Sequence, residues 1–197
     1  MKHKNPVYSF EFFPPKTADG VARLATTSAT LAELKPGFFS VTFGAGGSTR
    51  DHTFETVIDL QKNTGIDTAP HLSCISSTRE NIREALSAYR EKGISHMVAL
   101  RGDMPSGMVE AGEFRYANEL VSFIREETGD HFHLEVAAYP EYHPQASSPD
   151  RDFANFVRKV EAGANSAITQ YFYNPDAYLR FADRCAGAGL DIPIVPG

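Results

Sequence analysis

The sequence predicts an α/β fold of the (β/α)8 TIM-barrel class. Three observations lead there. Apolar, strand-like runs recur about every 25 to 38 residues, with helical segments between them. Several of those helical segments leave through a glycine, at Lys92-Gly93, Ala162-Gly163 and Ala188-Gly189, and each leads within a few residues into another apolar run. Such β–α alternation with right-handed crossovers makes a parallel sheet. Finally, polar side chains gather at the carboxyl end of nearly every run: Glu11, Thr42, His71, Arg101 with Asp103, Tyr139 with His143, and Gln170. A site assembled from many strand ends is how a (β/α)8 barrel builds its active face. An open dinucleotide-binding sheet fits less well, because no G-x-G-x-x-G follows the first run.

The predicted strands cover residues 7–13, 38–43, 68–73, 96–100, 134–139, 167–173 and 192–195. The first ends at Pro14-Pro15, which cannot extend a ladder. Predicted helices cover 20–34, 53–62, 81–92, 116–126, 152–162 and 175–188. The third opens after Ser77-Thr78-Arg79-Glu80, a capping-box-like start with Ser77 or Thr78 as cap. Pro175 suits a first helical turn. A complete barrel needs one more strand and roughly two more helices than these. The expectation is therefore a single domain over residues 1–197, a barrel lacking its last strand and helices.

Composition narrows the function. A formal charge of −6 and the absence of a basic run argue against nucleic-acid and membrane-surface roles. No apolar stretch approaches the roughly 18 residues that span a bilayer. The N-terminal segment is basic but lacks the apolar core of a signal peptide. Cys74 and Cys185 are far apart, follow no metal spacing, and read as free thiols in a reducing cytoplasm.

Glu11 is the first candidate for chemistry. It sits among Phe10, Phe12 and Phe13 at the end of a strand expected to be buried, where burial favours its neutral form. A protonated Glu at neutral pH can act as a general acid. The same placement also suits a structural carboxylate paired with an Arg or a backbone group, and the residues alone leave both open. Arg101 offers a planar fork for phosphate or a ring oxygen and Asp103 an acceptor at the strand tip, or the two form a turn pair. The 103–114 loop is long enough to serve as a lid. The Gly-rich loop 44–48 could approach a ligand with its amides and bind an anion at a helix start. Tyr139 and His143 could stack on a flat ligand beside the small Ala137 and Ala138. His71, Asp103 and His143 have the residue types of a metal set, which would suit a metal-dependent barrel lyase, but their spacing matches no compact motif.

Six segments in order, 9–15 (SFEFFPP), 40–45 (SVTFGA), 69–74 (APHLSC), 98–105 (VALRGDMP), 137–144 (AAYPEYHP) and 164–172 (ANSAITQYF), resemble the methylenetetrahydrofolate reductase family of the bacterial type. The resemblance runs across essentially the whole chain. It implies a FAD-containing (β/α)8 barrel, an oxidoreductase acting on a CH–NH group. The family reduces 5,10-methylenetetrahydrofolate to 5-methyltetrahydrofolate with NADH or NADPH in a ping-pong sequence, within one-carbon metabolism feeding methionine synthesis. The resemblance makes Glu11 the general acid that opens the folate's imidazolidine ring. It makes Asp103 the carboxylate close to flavin and pterin, with catalytic, folate-binding and flavin-binding parts. Gln170 matches the glutamine that binds the pterin. Thr42, Phe43, Ala45, His71, Arg101, Gly102, Tyr116, Ala117, Tyr139, His143, Ala146, Asp152, Asn155, Arg158 and Lys159 match positions that line FAD. No metal is implied. A cytoplasmic homo-oligomer is expected. Family members continue for roughly another hundred residues, which leaves a fragment that at most binds FAD as the alternative. Nothing resembles the regulatory C-terminal domain of the eukaryotic enzymes.

Overall fold

The computed structural model describes residues 7–43, 47–102 and 112–197, with backbone alone at 47–50. Seven strands and six helices alternate among the described residues: β1 (Ser9–Phe12), α1 (Ala18–Ala32), β2 (Phe38–Val41), α2 (Gly47–Thr64), β3 (Thr68–Ser73), α3 (Arg79–Glu91), β4 (His96–Leu100), α4 (Ala117–Thr128), β5 (His133–Ala138), α5 (Pro149–Glu161), β6 (Ser166–Thr169), α6 (Pro175–Gly187) and β7 (Ile194–Val195). The strands lie in chain order from β1 to β7. This is the predicted (β/α)8 TIM-barrel order with seven strands present. The chain divides into two compact units, Met1–Leu72 with Ser87–Met97, and Ser73–Leu86 with Val98–Gly197.

In the first unit, parallel pairing sets Glu11 opposite Ser40 and Ser40 opposite Ala69. Side chains alternate across a strand, so Glu11, Ser40, Ala69 and His71 share one face. Phe10, Phe12, Phe39, Val41 and Leu72 share the other, where Phe39 and Val41 are wholly buried. Phe12 meets Phe39 edge-on at 5.1 Å and Phe10 tilts against it at 6.3 Å. Polar and apolar chemistry is thus sorted by strand period alone. Helix α1 starts where Thr17 caps it, the Thr17 hydroxyl accepting from the Gly20 amide at 3.1 Å.

The second unit pairs β5 with β6 in parallel, from Glu135 opposite Ser166 to Ala138 opposite Thr169, and β6 with β7. Its core is Leu120, Val121 and Ile124 of α4 with Leu134, Val136 and Ala138 of β5. A ring cluster of Phe153, Phe156 and Phe181 fills the space between α5 and α6. Arg125 of α4 donates to the carbonyls of Gly129, Phe132 and Gly163 and to the Asn165 side chain. Pro149 and Pro175 open α5 and α6 behind the caps Ser148 and Asn174.

Of the two expected caps of α3, Thr78 takes the role: its hydroxyl accepts from the Asn81 amide at 3.1 Å and donates to Asn81 Oδ1 at 2.8 Å. Other boundaries differ from expectation, each for a local reason. Helix α2 begins at Gly47, six residues before the predicted start, because its first turns carry no apolar pattern. Strand β6 stops at Thr169: Gln170 donates the last ladder bond to Ala138, and Tyr171 and Tyr173 turn outward before the α6 cap. Strand β1 is not buried as expected. It stands at the end of the strand order, Phe13 is exposed, and the Glu11 side chain is 52% accessible.

Both cysteines are free and buried. No helix among the described residues is long and apolar enough to cross a membrane.

Candidate functional site

Chemistry-bearing side chains lie at the strand ends of both units. In the first, Glu11 Oε2 lies 3.3 Å from Nε2 of His71, although strand β2 separates them. The small Ser40 and Ala69 on the shared face leave the space for this approach. His71 is buried at 8% exposure, and burial lowers its pKa to about 4, so the ring is neutral at neutral pH. Its Nε2 makes no aligned hydrogen bond, and the contact with Glu11 is one of proximity. Burial also raises the Glu11 carboxyl above its usual range, even at half exposure. The expected direction for an acid at this position holds, while the burial that produces it is partial. Thr42 and Phe43 follow β2 half-buried. The Thr42 amide donates to Phe12 at 2.9 Å and its carbonyl accepts from the Thr53 hydroxyl at 3.1 Å.

In the second unit, the turn after β4 is fixed by its carbonyl. Arg101 O accepts from the Ile75 amide at 2.8 Å and from the Ser73 hydroxyl at 2.9 Å. Gly102 follows at φ +83°, with Ser73 and Ile75 so close that a Cβ would overlap both. The backbone there requires glycine twice over, by conformation and by contact. The Arg101 guanidinium donates to Oε1 of Gln145 at 2.7 Å and to the Gly102 carbonyl at 3.2 Å. Asp103, the other member of the expected turn pair, lies outside the described residues, as do residues 44–46 of the Gly-rich loop, Ala45 among them, and residues 103–111 of the expected lid.

Tyr139 and His143 meet edge-on at 4.6 Å. Asp152 of α5 accepts from the His143 amide at 3.0 Å, and His143 Nδ1 accepts from the Gln145 amide at 3.0 Å. Ala146 closes this turn by donating to the His143 carbonyl. The β5–α5 connection is therefore held by its own polar groups. Asn155 accepts from exposed Arg158 at 2.8 Å. Lys159 instead turns its ammonium inward onto the Ala137 carbonyl at the end of β5. Burial lowers the Lys159 pKa to about 8, against the opposing pull of Asp152. Tyr116 caps α4 with its ring exposed and Ala117 half-buried behind it, and Gln170 projects exposed beyond β6.

A cavity of about 390 Å³ opens beside this loop, lined by Tyr139, Tyr142, Asp152, Phe153, Arg180 and Arg184 among others. Arg184 stacks over Phe153 at 4.1 Å and pairs with Asp150 at 2.7 Å. Sequence reasoning missed Gln145, Arg180 and Arg184. Nothing local marks Gln145, whose partner is 44 residues away, while the i, i+4 spacing of the two arginines shows only that they share a helix face.

Comparison with known proteins agrees with this arrangement. A family model described as methylenetetrahydrofolate reductase matches residues 1–197. The 5,10-methylenetetrahydrofolate reductases of Pectobacterium carotovorum and Escherichia coli K12 are 49% and 46% identical over 96% of this chain. The chain spans 62% of the length of these relatives. Solved structures share the fold. A Clostridium thermocellum protein described as binding two copies of 5-methyl-5,6,7,8-tetrahydrofolic acid aligns with TM-score 0.63 at 15% identity, covering 96% of this chain and 64% of that one. A 2,3-dimethylmalate lyase aligns with TM-score 0.67 at 6% identity, covering 96% and 73%. With the strand-end residues, the barrel order and a match along its whole length in agreement, the chain belongs to the methylenetetrahydrofolate reductase family.

Proposed function

We propose that this chain is a single flavin-binding barrel domain that serves the reduction of 5,10-methylenetetrahydrofolate to 5-methyltetrahydrofolate with NAD(P)H. The observation that carries the reading is Glu11: a carboxyl raised by burial, beside a neutral imidazole, at a strand end in a chain of this family. The described residues suit a flavin dinucleotide. Gly102 offers close backbone approach, Tyr139 and His143 offer ring faces, and Arg158 with Asn155 offers a charged polar edge on α5. Bound FAD would supply hydride chemistry that no side chain can. Thr42, His71, Arg101, Tyr116, Ala117, Ala146, Asp152 and Lys159 belong to the same proposed lining, with Phe43, Ala45 and Asp103.

The chain's own part is binding, orientation and one proton. Glu11 donates its proton to the folate nitrogen that leaves when the imidazolidine ring opens, and remains as carboxylate. Gln170 holds the pterin, and the resemblance gives Asp103 a part in binding folate and flavin. The folate-binding neighbour shares only the fold, yet a barrel of this type taking a tetrahydrofolate is in keeping with the substrate class.

Purified protein tests the reading. A flavin spectrum bleached by NADH and restored by methylenetetrahydrofolate supports it; a colourless protein that takes up no added FAD overturns it. Glu11→Gln is expected to keep bleaching by NADH and to lose roughly 10²- to 10⁴-fold in folate reduction. Normal folate reduction by that variant would remove Glu11 from the acid role.

A further inference from the structure

His71 Nε2 is buried and makes no aligned hydrogen bond. Oε2 of Glu11 lies 3.3 Å from it. The strand register, not chance side-chain reach, brings the two together: Glu11, Ser40, Ala69 and His71 lie on one face, and the residues between them are small. A buried imidazole nitrogen without a partner is costly, and the cost is met once a donor turns toward it.

We propose that His71 Nε2 is the dedicated acceptor for the carboxylic proton of Glu11, which makes His71 a positioning residue for the acid. This rests on the acid role proposed for Glu11 and deepens it. In the resting pair the Glu11 O–H donates to an imidazole protonated at Nδ1 only. When the proton leaves for a basic nitrogen of the substrate, the O–H electron pair stays on Glu11 as carboxylate and His71 stays neutral. On β1, β2 and β3 the ionisable side chains of this face are Glu11 and His71 themselves; on β4, His96 packs against Phe38 at 4.3 Å, two residues before Ser40 on the same face. The directions of both shifts agree: burial lowers the pKa of the ring and raises that of the carboxyl, each toward its neutral form. A cationic imidazole at the same distance would have pulled the carboxyl the other way.

The pair is tested on the chain itself by NMR. With 15N-labelled histidine, His71 is expected to show an unprotonated, hydrogen-bonded Nε2 at neutral pH, changed by Glu11→Gln. With 13C-labelled glutamate, the Glu11 midpoint is expected to fall by roughly one pH unit in His71→Leu, since the acid form loses one neutral hydrogen bond. His71→Gln, whose amide oxygen can take the place of Nε2, should restore most of the shift. An Nε2–H tautomer, or a Glu11 midpoint unmoved or raised in His71→Leu, overturns the proposal. If His71→Leu does not fold by circular dichroism, the tautomer and the response to Glu11→Gln decide alone. The outcome is separable from the acid role: a shifted Glu11 midpoint with full folate reduction by Glu11→Gln keeps the pair and removes the acid, and the reverse removes the pair.

Discussion

Replacing Gly102 by alanine should cost the chain about 2 to 5 kcal/mol, from a left-handed backbone penalty of roughly 1–2 and a forced repacking of roughly 1–3 kcal/mol. The residue sits at φ +83°, and an added Cβ would fall 2.0 Å from Ser73 Oγ and 2.9 Å from Ile75 Cγ2. The hydroxyl can rotate aside, but only by giving up its bond to the Arg101 carbonyl, worth about 1 kcal/mol. Ile75 has no such freedom, because its amide is tied to the same carbonyl. Urea unfolding followed by circular dichroism reads the loss as a lower midpoint at unchanged slope. A double variant, Ser73→Ala with Gly102→Ala, removes the worst overlap and should recover about 1 kcal/mol relative to the sum of the single changes. A cost below about 0.5 kcal/mol for Gly102→Ala, or strict additivity in the double variant, would refute the account of this turn as sterically closed.

Other outcomes follow from buried ionisable groups. His71 binds its proton less readily folded than unfolded, so stability is full above its ordinary value of 6.5 and falls as pH drops toward about 4. Between about pH 7.5 and about pH 4.5 the loss from this group is roughly 2 to 3 kcal/mol, and the His71→Gln variant should show a flatter pH profile of urea midpoints. Glu11, raised rather than lowered, contributes in the opposite sense, its share being lost as pH rises through its folded value, but its half-exposure makes that share smaller. Burial pushes the Cys74 thiol up to about 12 and Cys185 up to about 11, so neither should react with a thiol reagent near neutral pH until urea unfolds the chain. Lys159→Met leaves the Ala137 carbonyl without its ammonium and should lower stability by about 1 to 3 kcal/mol, read from the same urea curves.

How much of this was legible depended on whether the cause was local. Glycine exits, proline starts and apolar runs are local, so the order of thirteen elements could be read from periodicity and punctuation. The start of α2 could not, because its first residues carry no apolar stripe. The exposure of β1 could not either: three phenylalanines in four residues look like a core strand, and only its place at the end of the sheet order exposes Phe13 and half of Glu11. For the site, residue type and strand-end position pointed to Glu11, Arg101 and His143, and the family resemblance added Lys159 on α5. The contacts that give them their properties span large sequence separations: Arg101 to Gln145, Lys159 to Ala137, and above all Glu11 to His71. No window of sequence contains both members of such a pair.

Arg125 has a consequence for motion as well as for strength. One guanidinium joins the end of α4, the entry to β5 and the turn before β6, three segments that are neighbours in the fold but are separated by up to 40 residues of chain. None of the three can open without breaking bonds that hold the other two. Their backbone amides should therefore exchange with solvent on a common schedule, as one cooperative block, and not fray segment by segment from the helix end inward.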